Sequence, residues 1–296
     1  MNYRTLGKST INISEISLGC MSLPPIAEEA KQVIDLAIDA GITYFDTADL
    51  YDRGENEKVV GEALKAHRSN IILATKVGNR WEDGKDGWGW DTSASYINNA
   101  VRQSLRRLQT DYIDVYQLHG GTLDDHWDEI IDTFEGLKKE GLIREYGISS
   151  IRPNVFVPFL QNSAAVSNMM QFNILDERAA EFFEAIEQSG ASVVTRGSVA
   201  KGLLTNEWRQ RLKSFMSYDE AQAKTLLEKI ETLYGDVHAA ALAFNLQHRA
   251  VSSTVIGART KQQLQQNLAA YEKAQAIDNI HQLASFTRQD RYTDHR

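Results

Sequence analysis

Short apolar runs alternate with amphipathic stretches along almost the whole chain. The runs are EISLGCM (15–21), TYFDTA (43–48), IILATK (71–76), YIDVYQLH (112–119), EYGISS (145–150), MMQFNI (169–174), SVVTRGS (192–198) and STVIGAR (253–259). They are continuous rather than strictly alternating, the pattern of parallel strands covered on both faces. The stretches between them carry helical spacing. Ile97, Val101, Leu105 and Leu108 share one helix face, Trp127, Ile130, Ile131, Phe134 and Leu137 a second, and Val33, Ile34, Ala37 and Ile38 a third. Gly41 and Gly141 stand where two of these helices should stop, and Thr260 where the helix carrying Leu264, Leu268 and Tyr271 should start.

Eight βα units in one uninterrupted alternation predict a closed α/β barrel, the (β/α)8 TIM barrel, rather than an open doubly wound sheet. Two stretches exceed what a barrel needs: the Gly-, Trp- and charge-rich loop 77–92 after strand three, and 203–220 after strand seven, followed by an extra helix over 221–234. Beyond Ala274 the pattern predicts a final helix and a charged tail. No Gly- or Pro-rich linker divides the chain, so 1–296 is expected to form a single domain.

Composition changes this picture little. Hydrophobic residues make up 42% and charged residues 24%, enough for a sizeable core. The net charge of −8 argues against a general nucleic-acid binder. One cysteine, Cys20, excludes an intramolecular disulfide and fits a reducing compartment. No run approaches the roughly 20 apolar residues that span a bilayer, and no secretory signal opens the chain. A cytoplasmic protein without membrane partners is expected.

The chemistry gathers at the strand ends. In a TIM barrel the carboxyl ends of the strands build the active site. Here those ends carry Asp46, Lys76, His119, Ser149, Ser150, Gln171, Arg196 and Arg259, with Tyr51 five residues after Asp46. A phenol holds its proton firmly at neutral pH, a nearby ammonium favours the phenolate, and a desolvated ammonium needs a carboxylate. Asp46, Lys76 and Tyr51 supply that series, and the imidazole of His119 can orient a carbonyl oxygen. The set describes proton delivery to a carbonyl. Taken alone, Asp46 with Lys76 would read as a structural ion pair, and His119 as a core histidine. Trp81, Trp88 and Trp90 either shape an apolar pocket or pin their loop.

In order along the chain, FDTADLY (45–51), LATK (73–76), SLRRLQTDYIDVYQLH (104–119), GISS (147–150), MMQFN (169–173), KGLLT (201–205) and VIGARTKQQLQQN (255–267) match successive motifs of one family. The sequence resembles an aldo-keto reductase from YRTLG (3–7) to NLAAY (267–271), and within that family its bacterial short-loop branch. The resemblance implies Tyr51 as general acid, Lys76 and Asp46 tuning it, His119 orienting the substrate carbonyl, and hydride from NADPH. It implies that Ser149, Ser150 and Gln171 grip the carboxamide and that Gly19, Cys20 and Met21 line the same pocket. Arg196, Gly197, Ser198, Val199, Lys201, Gly202 and Leu203 would wrap the pyrophosphate. Gly257, Arg259, Gln263, Gln266 and Asn267 would hold the adenosine end, with Arg259 facing the 2′-phosphate. Two positions depart from the family pattern: Arg196 stands where an aromatic usually stacks on the nicotinamide, and Gln266 where an acid precedes the adenine-contacting Asn. There is no G-x-G-x-x-G fingerprint. The expected activity is reduction of a small aldehyde or ketone by a monomer or weak homo-oligomer. The alternatives are a cofactor-binding sensor on the same scaffold, and an unrelated barrel isomerase or lyase acting on a phosphorylated sugar.

Overall fold

The structure is a computed structural model that describes residues 1–82, 84 and 87–295. The centre of the 77–92 loop, at 83, 85 and 86, and the last residue lie outside the described residues. Eight parallel strands close into a barrel in chain order. They are β1 (Ile16–Gly19), β2 (Tyr44–Asp46), β3 (Ile72–Val77), β4 (Ile113–His119), β5 (Ile143–Ser149), β6 (Ser167–Gln171), β7 (Ser192–Arg196) and β8 (Val251–Gly257). Each lies within or overlaps one apolar run of the sequence. Crossover helices α1 (Ala27–Asp39), α2 (Glu55–Leu64), α3 (Ala94–Arg107), α4 (Trp127–Lys139), α5 (Pro153–Gln161) and α6 (Phe183–Gln188) cover the outside, and their apolar faces form the main core with the outward strand residues. Gly41 and Gly141 take φ of +86° and +78° just past α1 and α4, the left-handed conformation that ends a helix.

After β7 come the single turn α7 (Trp208–Arg211), α8 (Glu220–Tyr234), α9 (Val237–Leu246) and, beyond β8, α10 (Lys261–Ala274). Asp219 caps α8 through a capping box with Gln222, and Thr260 caps α10 through the Gln263 N–H. Among the described residues past Ala274 no α-helix forms. Asn279 adopts φ +59°, which no α-helix accommodates, and a 3₁₀ segment at Ile280–Ser285 buries Ile280 and Leu283 instead. Helix α9 has no amphipathic signature because all ten of its residues are buried.

Two antiparallel hairpins complete the barrel, Tyr3–Thr5 with Asn12–Ser14 and Asn79–Trp81 with Trp88–Trp90. The first plugs the amino-terminal end of the barrel. Its Leu6, Ile11 and Ile13 pack on the inward residues Tyr44, Ala74, Val115, Met169 and Val194. No helix of the described residues is long and apolar enough to cross a membrane.

Candidate active site

Successive strand residues point to opposite faces. Two positions beyond each of those inward apolar residues stand Asp46, Lys76, Gln117, Gln171 and Arg196, so strand alternation alone turns them into the barrel at its carboxyl end. The strand register joins them into a ring. Gly19 pairs with Asp46, Lys76 with Gln117, His119 with Ser149, Gln171 with Arg196, and Gly257 with Gly19. Strand ends far apart in sequence thereby share one mouth.

Lys76 is 1% exposed, and its Nζ donates to Asp46 Oδ2 at 2.6 Å and to the Thr47 carbonyl at 2.7 Å. Nζ also lies 3.4 Å from Tyr51 Oη. Burial disfavours a charged lysine, but Asp46 and then Tyr51 overcome it and hold the Lys76 pKa above its ordinary value. Asp46 is raised, by burial first, against the pull of Lys76 and of Gln117, whose Nε2 donates to Oδ1 at 3.1 Å. Gln117 is not among the residues expected from the sequence. It stands two residues before His119 on the same strand face, and that alternation was the available signal.

Tyr51 opens a distorted turn in which Asp52, Arg53 and Gly54 all have positive φ (48°, 55° and 87°). Such conformations persist only where surroundings enforce them. The second hairpin does so: Trp81 Nε1 donates to the Leu50 carbonyl at 2.8 Å, and the Arg53 guanidinium lies 4.5 Å from the Trp81 ring centre. Trp81 therefore pins the loop that carries Tyr51. Trp90 instead stands at the rim, under the Arg152 guanidinium.

His119 meets the Tyr51 ring edge-on at 6.2 Å between centroids. Burial, with the positive charges of Lys76 and Arg196, lowers its pKa to about 3. Its Nδ1 is buried with no partner among the described residues, which leaves Nε2 as the nitrogen for an incoming acceptor. The ring should stay neutral from pH 8 down to 5. Its carbon-bound proton resonances should not titrate over that range, and a midpoint near 6.5 would contradict this environment.

The other expected residues ring the mouth with varied exposure. Ser149 and Ser150 are buried, and the Ser150 N–H donates to Asn168 Oδ1. Cys20 is buried, its thiol pKa pushed up chiefly by burial, while Met21 next to it is 63% exposed. From the last residue of β7 onward, Arg196, Gly197 and Lys201 are exposed, Val199 and Gly202 are half-buried, and Ser198 and Leu203 are buried. From the last residue of β8 onward, Gly257, Arg259, Gln263 and Gln266 are exposed, while buried Asn267 donates to the Gly257 carbonyl at 3.2 Å. Arg259 lies just before the first turn of α10, its N–H bonded to Gln263 Oε1 at 2.8 Å. Among the described residues, none of Arg196, Lys201 or Arg259 forms an ion pair. Most other arginines of this acidic chain do, among them Arg4, Arg68, Arg107, Arg144 and Arg178. Three cations without an ion pair, one at the end of β7 and two on the loops after β7 and β8, the last beside a helix N-terminus, fit an extended polyanion such as a dinucleotide phosphate.

The chain belongs to the aldo/keto reductase family, whose model matches residues 15–288. It is 47% identical over its full length, and the full length of the relative, to the uncharacterized oxidoreductase YqkF of Bacillus subtilis. It is 29% identical to L-galactose dehydrogenase of Arabidopsis thaliana, over 94% of this chain and 90% of that one. Among solved structures it is similar to the holo form of the aldo-keto reductase AKR11C1 from Bacillus halodurans, with a TM-score of 0.93 and 46% identity over 100% and 99% of the two chains. The apo form of the same protein gives 0.85 at the same coverage. The chain is therefore an oxidoreductase of a family that uses nicotinamide cofactors, and the isomerase or lyase reading falls away.

Proposed function

We propose that the protein reduces an aldehyde or ketone to the alcohol with NADPH, as one domain spanning residues 1–296. The observation that carries this reading is the buried Lys76 ammonium, held by Asp46 and the Thr47 carbonyl and directed at the Tyr51 hydroxyl beside His119. When bound, NADPH supplies the hydride. Tyr51 gives its proton to the carbonyl oxygen, and Lys76 stabilises the phenolate left behind. Asp46 and Gln117 fix the ammonium, and neutral His119 donates one N–H to the same oxygen. Ser149, Ser150 and Gln171 are proposed to hold the carboxamide, the loop 196–203 the pyrophosphate, and Arg259 with Gln263, Gln266 and Asn267 the adenosine end. The substrate is a small carbonyl compound, met in the cytoplasm by a monomer or weak homo-oligomer.

The test is oxidation of NADPH, followed by absorbance, with activated aldehydes, dicarbonyls and quinones. Turnover of at least one class is expected. NADPH binding without turnover of any would favour a sensor instead. Arg259→Ala should weaken NADPH binding roughly ten- to a hundredfold, the worth of a charge-assisted hydrogen bond, and leave NADH nearly unchanged. Equal losses for the two cofactors would remove the assigned phosphate contact.

A further inference from the structure

Gln171 ends β6 beside Arg196, and five residues later the chain turns back to set Asp176 against it. We infer that Asp176 is a positioning residue that presents the Gln171 side-chain oxygen, not its nitrogen, to the cofactor, so that the site selects a ligand donating an N–H there. This rests on the reading of Gln171 as the carboxamide contact.

Asp176 is 2% exposed. Arg178 grips both of its oxygens, Nε to Oδ1 at 2.7 Å and Nη2 to Oδ2 at 3.0 Å. Gln171 Nε2 lies 2.6 Å from Oδ2. A carboxylate bridged by an arginine offers only lone pairs, so a glutamine this close must face it with its NH₂ group. The reverse orientation would press two oxygens together. The Gln171 oxygen consequently points elsewhere, and no donor among the described residues reaches it. It lies over Gly197, where a Cβ would stand 3.6 Å from it and cover that side. The acceptor is thus left uncovered beside Arg196 and Gly197, at the mouth.

The clamp is itself fixed. Asn173 and Asp176 exchange backbone hydrogen bonds at 3.1 and 2.9 Å, and the Asn173 side chain donates to the Gly197 carbonyl at 2.9 Å. The Arg178 guanidinium lies 4.7 Å from the ring centre of Tyr292, a buried residue of the C-terminal segment. Three segments distant in sequence therefore hold one amide in one orientation. Such fixing matters because a free glutamine amide can present either end at little cost.

The experiment compares dissociation constants, by intrinsic tryptophan fluorescence, for NADP⁺ and its 3-acetylpyridine analogue, or for the pair without the 2′-phosphate should that pair bind tighter. The analogue keeps the ring carbonyl and lacks the NH₂. In the unaltered protein NADP⁺ should bind at least about tenfold tighter, the value of one hydrogen bond to a fixed acceptor. Asp176→Asn, which tolerates either orientation of Gln171, should shrink that ratio to about threefold or less. Asp176→Glu, still acceptor-only, should keep it. Arg178→Met, which loosens Asp176 from the solvent side, should move the ratio the same way as Asp176→Asn and serves in its place if that variant does not fold. A uniform weakening of both ligands, or an unchanged ratio, overturns the proposal. Gln171→Ala separates the two ideas. If it collapses the ratio while the Asp176 and Arg178 variants do not, Gln171 is the contact and Asp176 does not orient it. If it leaves the ratio intact, the carboxamide reading fails, and the Asp176 role with it.

Discussion

Tyr51→Phe is expected to lower carbonyl reduction by about a hundred- to ten-thousandfold, the usual contribution of a positioned general acid. The same variant should bind NADPH within about twofold of the unaltered protein. The structure explains why the two effects should separate. Tyr51 is the longest of the three contacts of Lys76, at 3.4 Å, while Asp46 and the Thr47 carbonyl hold the ammonium at 2.6 and 2.7 Å. Losing the hydroxyl therefore leaves Lys76 satisfied, and the phenyl ring still fills the space beside His119. Stability should fall by no more than about 1 kcal/mol, the net worth of an ordinary hydrogen bond. Steady-state rates on an activated aldehyde, with NADPH affinity measured by fluorescence, decide the matter. A variant that reduces aldehydes at the original rate would show that the proton comes from elsewhere.

Lys76→Met should damage both folding and turnover. It removes the cation from a carboxylate that is 4% exposed, leaving Asp46 the Gln117 amide as its side-chain hydrogen-bond donor among the described residues and the more distant charge of Arg196. Breaking one side of a buried pair costs about 3–5 kcal/mol, which lowers the melting temperature by on the order of 10 °C. The pH dependence has a definite sign. Burial already raises the Asp46 pKa, and without Lys76 it rises further, so the folded variant binds a proton that the unfolded chain at neutral pH does not. Stability of the variant then falls as pH increases, and the penalty should be smaller at pH 5 than at pH 8. Adding Asp46→Asn should recover much of the loss in melting temperature without restoring turnover. If Lys76→Met alone melts like the unaltered protein at pH 8, the ion pair does not stabilise the barrel as its geometry implies.

The two variants probe different properties of one cluster. Tyr51 sits on a turn with three consecutive positive φ angles, braced by Trp81 and Arg53, and so can be changed with little structural response. Lys76 and Asp46 sit inside the barrel wall, where packing and charge cannot be altered separately. The tryptophan loop shows how such a distinction stays hidden in a sequence. Its three tryptophans read equally well as pocket walls or as anchors. Only the tertiary structure assigns Trp81 to bracing the Tyr51 loop and Trp90 to the rim beneath Arg152.

By itself the sequence determined the barrel, because eight buried parallel strands must be apolar on both faces and their crossover helices on one, a periodicity that survives any detail of packing. Helix stops at Gly41 and Gly141 and the cap at Thr260 were legible for the same reason, since each is a property of one residue and its neighbours. The polar strand ends at Asp46, Lys76 and His119 could be read too, as charges that interrupt apolar runs. Only the tertiary structure decided what depends on register and on approach between distant segments. The all-buried α9 carries no helical period, and the three-residue hairpin strands are too short to show one. The Gln117 contact to Asp46 exists because the barrel brings two strands distant in sequence together, and the local Asp176 clamp on Gln171 is held by Arg178 stacked on Tyr292 of the C-terminal segment. Local pattern records what a residue prefers; which partner it meets is set by the ring of strands around it.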